Sequence, residues 1–594
     1  MKYPLVEMIN KPKEMLTYFA GYVNKLSCQE GSFYREKNIT TEHFPVLSCR
    51  RKRGQIKTIE SYQGMVDKEE LVWVANSKLY IGDVEKTLAQ GVTLDNTDKT
   101  ITKMGAYLVI FPDKVWYNTK DNSSGKIEAT FDQTQATVTF QQVDSQGEDI
   151  SYVSSSATTF NDGDYKIDTK NGKKTLKTYS KTSNMWINVA TTYFKISCTN
   201  IGKDFKKGDG IKVSIDLTGN SWSYAKNIFV NDEGNNVHSN NFVVKNIGDD
   251  YIIVTGLLNV ATKEFKNSSK LAEIKVERKC PDMAFVCECM NRLWGCSTDG
   301  HELYASKLGD VTNWNCFDGV ATDSWSATVG SDGGFTGAYA YMGNPIFFKE
   351  DGLLRITISS YGAHSYKEVA CRGVQTGCSK SLSMLNELLY YKSPTNVCVY
   401  DGNFPQEIGD DLGSVKYYGA VGGSFNNRYY LSMKDESNKY HLFVFDVNNN
   451  LWSIEDNTKV KDFARHGDDL FFVDKDNKLW SCYGSAYKTN LTLEGKIDWE
   501  AESGFIGYSS DNKKYLARFT MNIKMEVGAY VSLFIEYDSS GRWEHVWNLA
   551  GKGTKSFSIP VRPKRCDHYR YKLVGHGDCK VFSVSKEYEE GSEF

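Results

Sequence analysis

The feature that most constrains this chain is a hairpin that returns about every 40 residues. Each copy has an apolar pair or triplet, a turn of Asp, Asn, Gly or Lys, and a second apolar pair, the signature of two short antiparallel strands. It occurs seven times, beginning at Leu71, Tyr107, Leu293, Ile346, Leu388, Tyr429 and Leu470. From Leu293 the anchors follow at spacings of 53, 42, 41 and 41 residues, and Leu108 lies 37 residues after Leu71. Stretches such as 441–445 and 450–454 supply two further strands in a period. A repeat near 40 residues with four short strands predicts propeller blades. One such blade cannot cover both of its faces, whereas radial stacking covers each with its neighbours. The expected fold is all-β, a propeller of six or seven blades. Unrelated hairpins stacked in sandwiches are the competing arrangement, because no blade carries the WD dipeptide.

The period breaks between Asn118 and Lys279. This stretch is rich in Thr, Lys and Asn and alternates as strands do, for instance over 136–143 and 210–217, which predicts an inserted β domain. Near the other end, the odd positions from Ile523 to Tyr537 are apolar and most even ones polar, the pattern of a long strand or bent hairpin buried on one face. Further strands are expected at 556–559, 568–573 and 581–584, making a β-sandwich-like terminal domain. The layout read from the sequence is an arm over 1–57 that runs across other elements, first blades over 58–118, the inserted domain over 119–279, remaining blades over 280–490, and a C-terminal β domain over 491–594.

Composition agrees. Aromatic residues make up 13% of the 594, with 49 Gly and 10 Pro, which suits pleated surfaces turned at glycines better than a helical bundle. Trp73, Trp116, Trp294, Phe347, Tyr390, Tyr430 and Phe472 fall on hairpin strands, where packing between blades is their expected role. The net charge of −3 disfavours a dedicated duplex-binding face. It hides a gradient, since residues 1–60 carry 11 Lys/Arg against 6 Asp/Glu and residues 541–590 carry 10 against 6, leaving an acidic middle. The sharpest basic run, Arg50 to Arg53, reads either as a solvated loop or as a subunit or nucleic-acid contact. It and the basic stretch Arg562 to Arg570 could also meet in one platform and pair with acidic neighbours. No apolar run approaches the ~20 residues of a membrane helix, and residues 1–10 lack a signal-peptide core, so synthesis and folding in the cytoplasm are expected. The 14 scattered cysteines read as reduced, buried thiols.

Tests for chemistry return no site. Cys280, Cys287, Cys289 and Cys296 form the densest thiol cluster, but their spacing begins with C-x-C rather than C-x2-C, and core packing is expected for them as for Cys371 and Cys378. The nine histidines show no metal spacing, and His568 beside Asp567 stands alone. Gly330-Ser-Asp-Gly-Gly334 lacks the Lys-Ser/Thr of a phosphate loop. Ser297-Thr-Asp-Gly-His-Glu-Leu-Tyr304 departs from a sialidase Asp box in its Gly position and its missing Trp, and does not repeat across blades. The acidic pairs Asp410-Asp411 and Asp468-Asp469 sit in turn contexts, with solvated loop residues as the expected reading. The chain is read as no enzyme, with no catalytic, cofactor or metal residue assigned.

Three segments resemble virion proteins of tailed bacteriophages: Pro45-Val-Leu-Ser-Cys-Arg50, Met104-Gly-Ala-Tyr-Leu-Val-Ile-Phe-Pro-Asp-Lys114 and Arg565-Cys-Asp-His-Tyr-Arg-Tyr-Lys-Leu573. The domain order is similar to that of the tail nozzle, or stabilisation, proteins of short-tailed phages, in which a β-propeller is interrupted by an inserted domain and joined to a β platform made by the chain ends. The resemblance spans about residues 40–120 and 280–594. It implies a structural virion protein of the tail, made in the bacterial cytoplasm, forming a homo-oligomeric ring of six copies (a hexamer) below the portal and adaptor. It also implies contacts with other tail proteins or fibres, retention of the packaged genome and transient passage of genomic DNA during ejection. An acidic lumen would suit that passage, because a repulsive wall lets a polyanion slide. A tail-associated adhesin binding host-surface carbohydrate, a propeller glycosidase and a solitary binding propeller are the alternatives.

Overall fold

The computed structural model describes residues 13–150, 152–170, 173–217, 229–230, 241–258, 262–265, 272–359, 362–484, 491–507 and 512–590. Among them strands carry the architecture, and the helical segments are two short 3-10 turns, Ser379–Ser381 and Asp410–Leu412.

Seven antiparallel sheets form the blades of a propeller: blade 1 (62–86), blade 2 (100–126), blade 3 (283–328), blade 4 (337–370), blade 5 (383–407), blade 6 (418–454) and blade 7, which starts at Val460. The near-continuous apolar runs have a direct cause. Successive side chains of a strand point to opposite faces, and in a stack of blades both faces are buried. In the second strand of blade 1, Leu71 and Trp73 pack with Phe471 and Val473 of blade 7, while Val72 and Val74 pack with Leu108 and Ile110 of blade 2. Blade 3 repeats the arrangement, with Leu293 toward blade 2 and Trp294 and Cys296 toward blade 4. Tyr429 and Leu431 of blade 6 share a core with blade 5, and Tyr430 shares one with Leu470 of blade 7. The circuit of shared cores therefore closes. Each fully buried Leu, Ile or Phe on these strands contributes roughly 1.5–3 kcal/mol.

Turn chemistry sets the hairpins. Asn386-Glu387 and Asn426-Asn427 hold positive φ at both central positions, which matches the twist of the flanking strands. Asp299, Asp435 and Asp474 open the turns between the second and third strands of blades 3, 6 and 7, each carboxylate accepting the N–H two residues on at 3.1, 2.9 and 2.8 Å.

The fourth strand of blade 7 comes from the other end of the chain. Gly54–Thr58 pairs antiparallel with Lys478–Ser481, Gly54 opposite Ser481 and Thr58 opposite Lys478, and Thr492–Leu493 adds a short outer strand. The sequence reading left residues 54–57 in the arm and 492–493 in the C-terminal domain. They belong to the blade, because an unpaired edge on Lys478–Ser481 takes the strand that precedes blade 1.

Both ends build the platform. A seven-stranded sheet that includes Lys13–Leu16, Ile39–Thr40, Leu47–Cys49, Lys514–Met525 and Cys579–Glu590 faces a five-stranded sheet of Phe33–Lys37, Asp498–Ser503, Tyr569–His576, Tyr530–Tyr537 and Glu544–Ala550 across one core. The odd-position run is split between the two sheets: Met521, Ile523 and Met525 enter the core from one, Val531, Leu533 and Ile535 from the other. The expected bent hairpin is thus a corner between facing sheets. The arm seats this platform on the rim of blades 5 to 7. Tyr22 N donates to Trp452 O at 2.7 Å, Asn24 N to Asp411 O at 2.7 Å, and the Thr41 hydroxyl to Asp446 Oδ2 at 2.7 Å. Gly21 permits the approach, since it holds φ +72° and a Cβ there would lie 2.4 Å from Trp452 O.

The described strands between Ala129 and Arg278 form the inserted β domain, with a core of its own around Phe140, Phe194, Ile196 and Val254; it begins later than residue 119, because Ser124–Lys126 pairs with Val115–Asn118 as the fourth strand of blade 2. It leaves blade 2, returns to blade 3 and rests on the long connection between the third and fourth strands of blade 3. Asn313 Nδ2 donates to Gly208 O at 2.6 Å and its Oδ1 accepts from Gly210 N at 3.1 Å.

Candidate functional site: the arm clamp and its cleft

The run Arg50 to Arg53 is neither a solvated loop nor a free basic patch. Arg50 and Arg53 are 7% and 3% exposed. Arg50 Nε donates to Asn38 Oδ1 at 2.7 Å, and its two terminal nitrogens grip Glu494 at 2.6 and 3.2 Å, a bidentate fork. Arg53 bonds Asp456 at 2.7 Å and Thr458 at 3.2 Å, and also pairs with Glu455. Its guanidinium lies 5.4 Å from the Phe472 ring centroid. Four parts of the chain meet here: the arm, the end of blade 6, the face of blade 7 and the entry to the platform. Burial alone would raise the Asp456 carboxyl, but Arg53 and Arg50 outweigh it and hold it at about 2. Glu494 is lowered in the same way, chiefly by Arg50 against its own burial. Arg51 turns outward to Glu42.

The second basic stretch pairs separately. Arg570 bonds Glu502 at 2.7 Å and Glu536 on the five-stranded sheet. The two stretches thus both pair with acidic neighbours, at two different places.

Beside the clamp, a cleft of about 500 Å³ is walled by the arm on one side and the platform on the other. Lys580 Nζ donates to His43 Nε2 at 2.8 Å, so the imidazole accepts there and is neutral. Burial, then Lys580, lower the His43 pKa against the pull of Glu42. Lys52, Glu526, Asp578 and Cys49 complete much of the wall. Mixed cations and carboxylates suit water or a small polar solute. The wall offers no activated nucleophile, since burial pushes the Cys49 thiol up to about 11.

The other candidates resolve into structure. Cys287, Cys289 and Cys296 pack in the core between blades 3 and 4. Cys316, Asp318 and Asp323 bring ligand atoms within 4.8 Å of one another, yet Lys307 Nζ lies 3.5 Å from Cys316 Sγ and Lys245 Nζ 2.7 Å from Asp318, so lysines hold the positions a cation would take. The Asp323 carboxylate is spent on the N–H groups of Asp318 and Val320. Asp299 of the Asp-box-like stretch anchors its turn through Ser297 and His301. Of the acidic pairs, Asp410 bonds Asn396, whereas Asp469 is fully buried and accepts from Ser481 and Tyr483, which corrects its reading as a solvated loop residue. His568 does not pair with Asp567. It meets Ser539 at 2.7 Å on an exposed turn, with Asp538 4.0 Å from its Nδ1, beyond hydrogen-bond reach for a triad.

The clamp's acidic partners, together with Glu36 and Asn38, escaped sequence reading. Glu455, Asp456 and Glu494 lie 402, 403 and 441 residues from Arg53, and no local pattern couples such distant positions.

No family model matches the chain, and no curated protein matches it in sequence. Among solved structures, an exo-β-1,3-galactanase from Phanerochaete chrysosporium is 9% identical, with 51% of this chain and 94% of that chain covered at a TM-score of 0.21. The lectin of Aleuria aurantia, a fungal six-bladed β-propeller with a fucose recognition mode, is 13% identical over 49% of this chain and 94% of that chain, TM-score 0.18. Hsv2 of Kluyveromyces lactis is 11% identical over 52% and 94%, TM-score 0.24. At these scores the likenesses assign no activity to this chain.

Proposed function

We propose that this chain is an architectural subunit of a bacteriophage tail, a nozzle-type protein. Its ring extends the portal and adaptor channel, retains the packaged genome and conducts DNA during ejection. The observation that carries the reading is the division of labour in the fold: a propeller interrupted between its second and third blades by a β domain, with both chain ends folded into one platform clamped on the rim. This is the layout that the resemblance to tail nozzle proteins implies. Among the described residues the exposed aromatic rings fall on several elements: Tyr18, Tyr530, Trp547 and Phe582 on the platform, Phe317 on blade 3, Phe404 on blade 5 and Tyr418 on blade 6.

The test is assembly. Light scattering and negative-stain imaging of the purified chain, alone and with an adaptor ring of a short-tailed phage, should reveal six-fold rings. A chain that stays monomeric at all concentrations in both conditions refutes the reading, and specific retention on a glycan array would replace it with the adhesin.

A further inference from the structure

The arm strand Leu47–Cys49 lies antiparallel against the start of Cys579–Glu590, with Leu47 opposite Val581 and Ser48 opposite Lys580. One further step of this register sets Cys49 opposite Cys579. Leu47, Val581, Cys49 and Cys579 all belong to the platform core, so both thiols leave their strands on the same face. Directly opposed residues hold their Cβ atoms about 4.5–5.5 Å apart, and a disulfide needs about 3.5–4.5 Å, a gap that strand twist and a small shift can close. Elsewhere a strand cysteine faces another residue type: Cys287 faces Trp294, Cys289 faces Arg292, Cys398 faces Tyr391, and Cys566 faces Lys514. Cys579 is 1% exposed, but Cys49 is 8% exposed and forms part of the cleft wall, which gives a small reagent a way in.

We propose that Cys49 and Cys579 form a redox latch, closed by a low-molecular-weight disulfide of the glutathione class that enters this cleft. The Cys49 thiolate, its proton lost to water, attacks one sulfur of the reagent and releases one small thiolate. The Cys579 thiolate then attacks the Cys49 sulfur of the mixed disulfide and releases the second. Two protein thiols and one small disulfide become one protein disulfide and two small thiols.

The position gives the latch its consequence. Cys49 directly precedes the clamp arginines and the strand Gly54–Thr58 that completes blade 7. A bond to Cys579 would tie the C-terminal strand covalently to the segment that closes the propeller. Burial, with Asp578 adding to it, lifts Cys49 to about 11, and burial with Cys49 itself lifts Cys579 to about 12, so closure is slow at neutral pH and the chain folds with the latch open. The inference does not depend on the tail reading.

The experiment uses the full chain, purified in reductant and then exposed to oxidised glutathione. Thiols are counted after denaturation and linked peptides mapped without reduction. Two of the fourteen thiols should disappear, one linked pair should contain Cys49 and Cys579, and dithiothreitol should restore both. Closure should speed about tenfold for each pH unit, following the thiolate fraction. Cys49→Ala should lose no further thiol and Cys579→Ala should stop at one, held as the mixed disulfide on Cys49, while Cys371→Ala should still lose two. Fourteen surviving thiols, or a link mapped to any other pair, would overturn the proposal. Mapping on the unaltered chain decides even where a variant fails to fold.

Discussion

Replacing Arg53 by Met asks whether the clamp holds the closing strand in blade 7. Met fills similar volume but leaves Glu455 and Asp456 without their buried cation. Removing one partner of a buried ion pair typically costs about 3–5 kcal/mol, most of it the penalty of the stranded charge. Arg50 still lies 3.6 Å from Asp456 and softens the loss, so the lower end is expected. The cost should appear locally, at the amides of Gly54–Thr58, as a fall in hydrogen-exchange protection of roughly a hundredfold or more. An acid limb gives a second readout. Asp456 is held at about 2 against an ordinary 3.8, which is worth about 2–3 kcal/mol, present above pH ~4 and lost as pH falls from ~4 through ~2. In the variant that limb should flatten, because the main source of the depression is gone. Protection within a factor of three of the parent, or an unchanged acid limb, would refute the reasoning.

Glu36 supplies a prediction of opposite sign. It is buried where the arm meets blade 6, accepts from Ile454 N at 3.3 Å, and burial raises its pKa to about 8, so stability falls by about 1.4 kcal/mol per pH unit from ~4.5 to ~8. Glu36→Gln should match the parent near pH 4 and gain on it steadily up to pH 8, as denaturant unfolding followed across pH would report. Trp294→Ala empties one of the largest fully buried side chains, between blades 3 and 4, and should cost about 3–5 kcal/mol in the same assay. Gly21→Ala should release the arm from blade 6, read as protease cleavage within residues 16–32 while the blades stay resistant, because its Cβ meets Trp452 O at 2.4 Å.

What the sequence determined by itself was local and periodic. The continuous apolar run Leu71 to Val74 already encodes two buried faces, the Asp and Asn turns encode hairpins, and a 40-residue period encodes blades, because each of these rests on contacts between residues near in the chain. The presence of an insertion, though not its first boundary, and the one-face burial of 523–537 were legible for the same reason. Only the tertiary structure decided how the ends are used. Gly54–Thr58 reads as a loop until an edge 420 residues later needs a partner, and Arg50 to Arg53 reads equally as solvated, as a contact surface or as paired until Glu455, Asp456 and Glu494 arrive beside it. The opposition of Cys49 and Cys579 likewise depends on a register between the two ends of the chain. Periodicity reports which face of a strand is covered. It carries no information on which distant charge, edge or thiol completes a site, since that pairing is set by the closure of the whole ring.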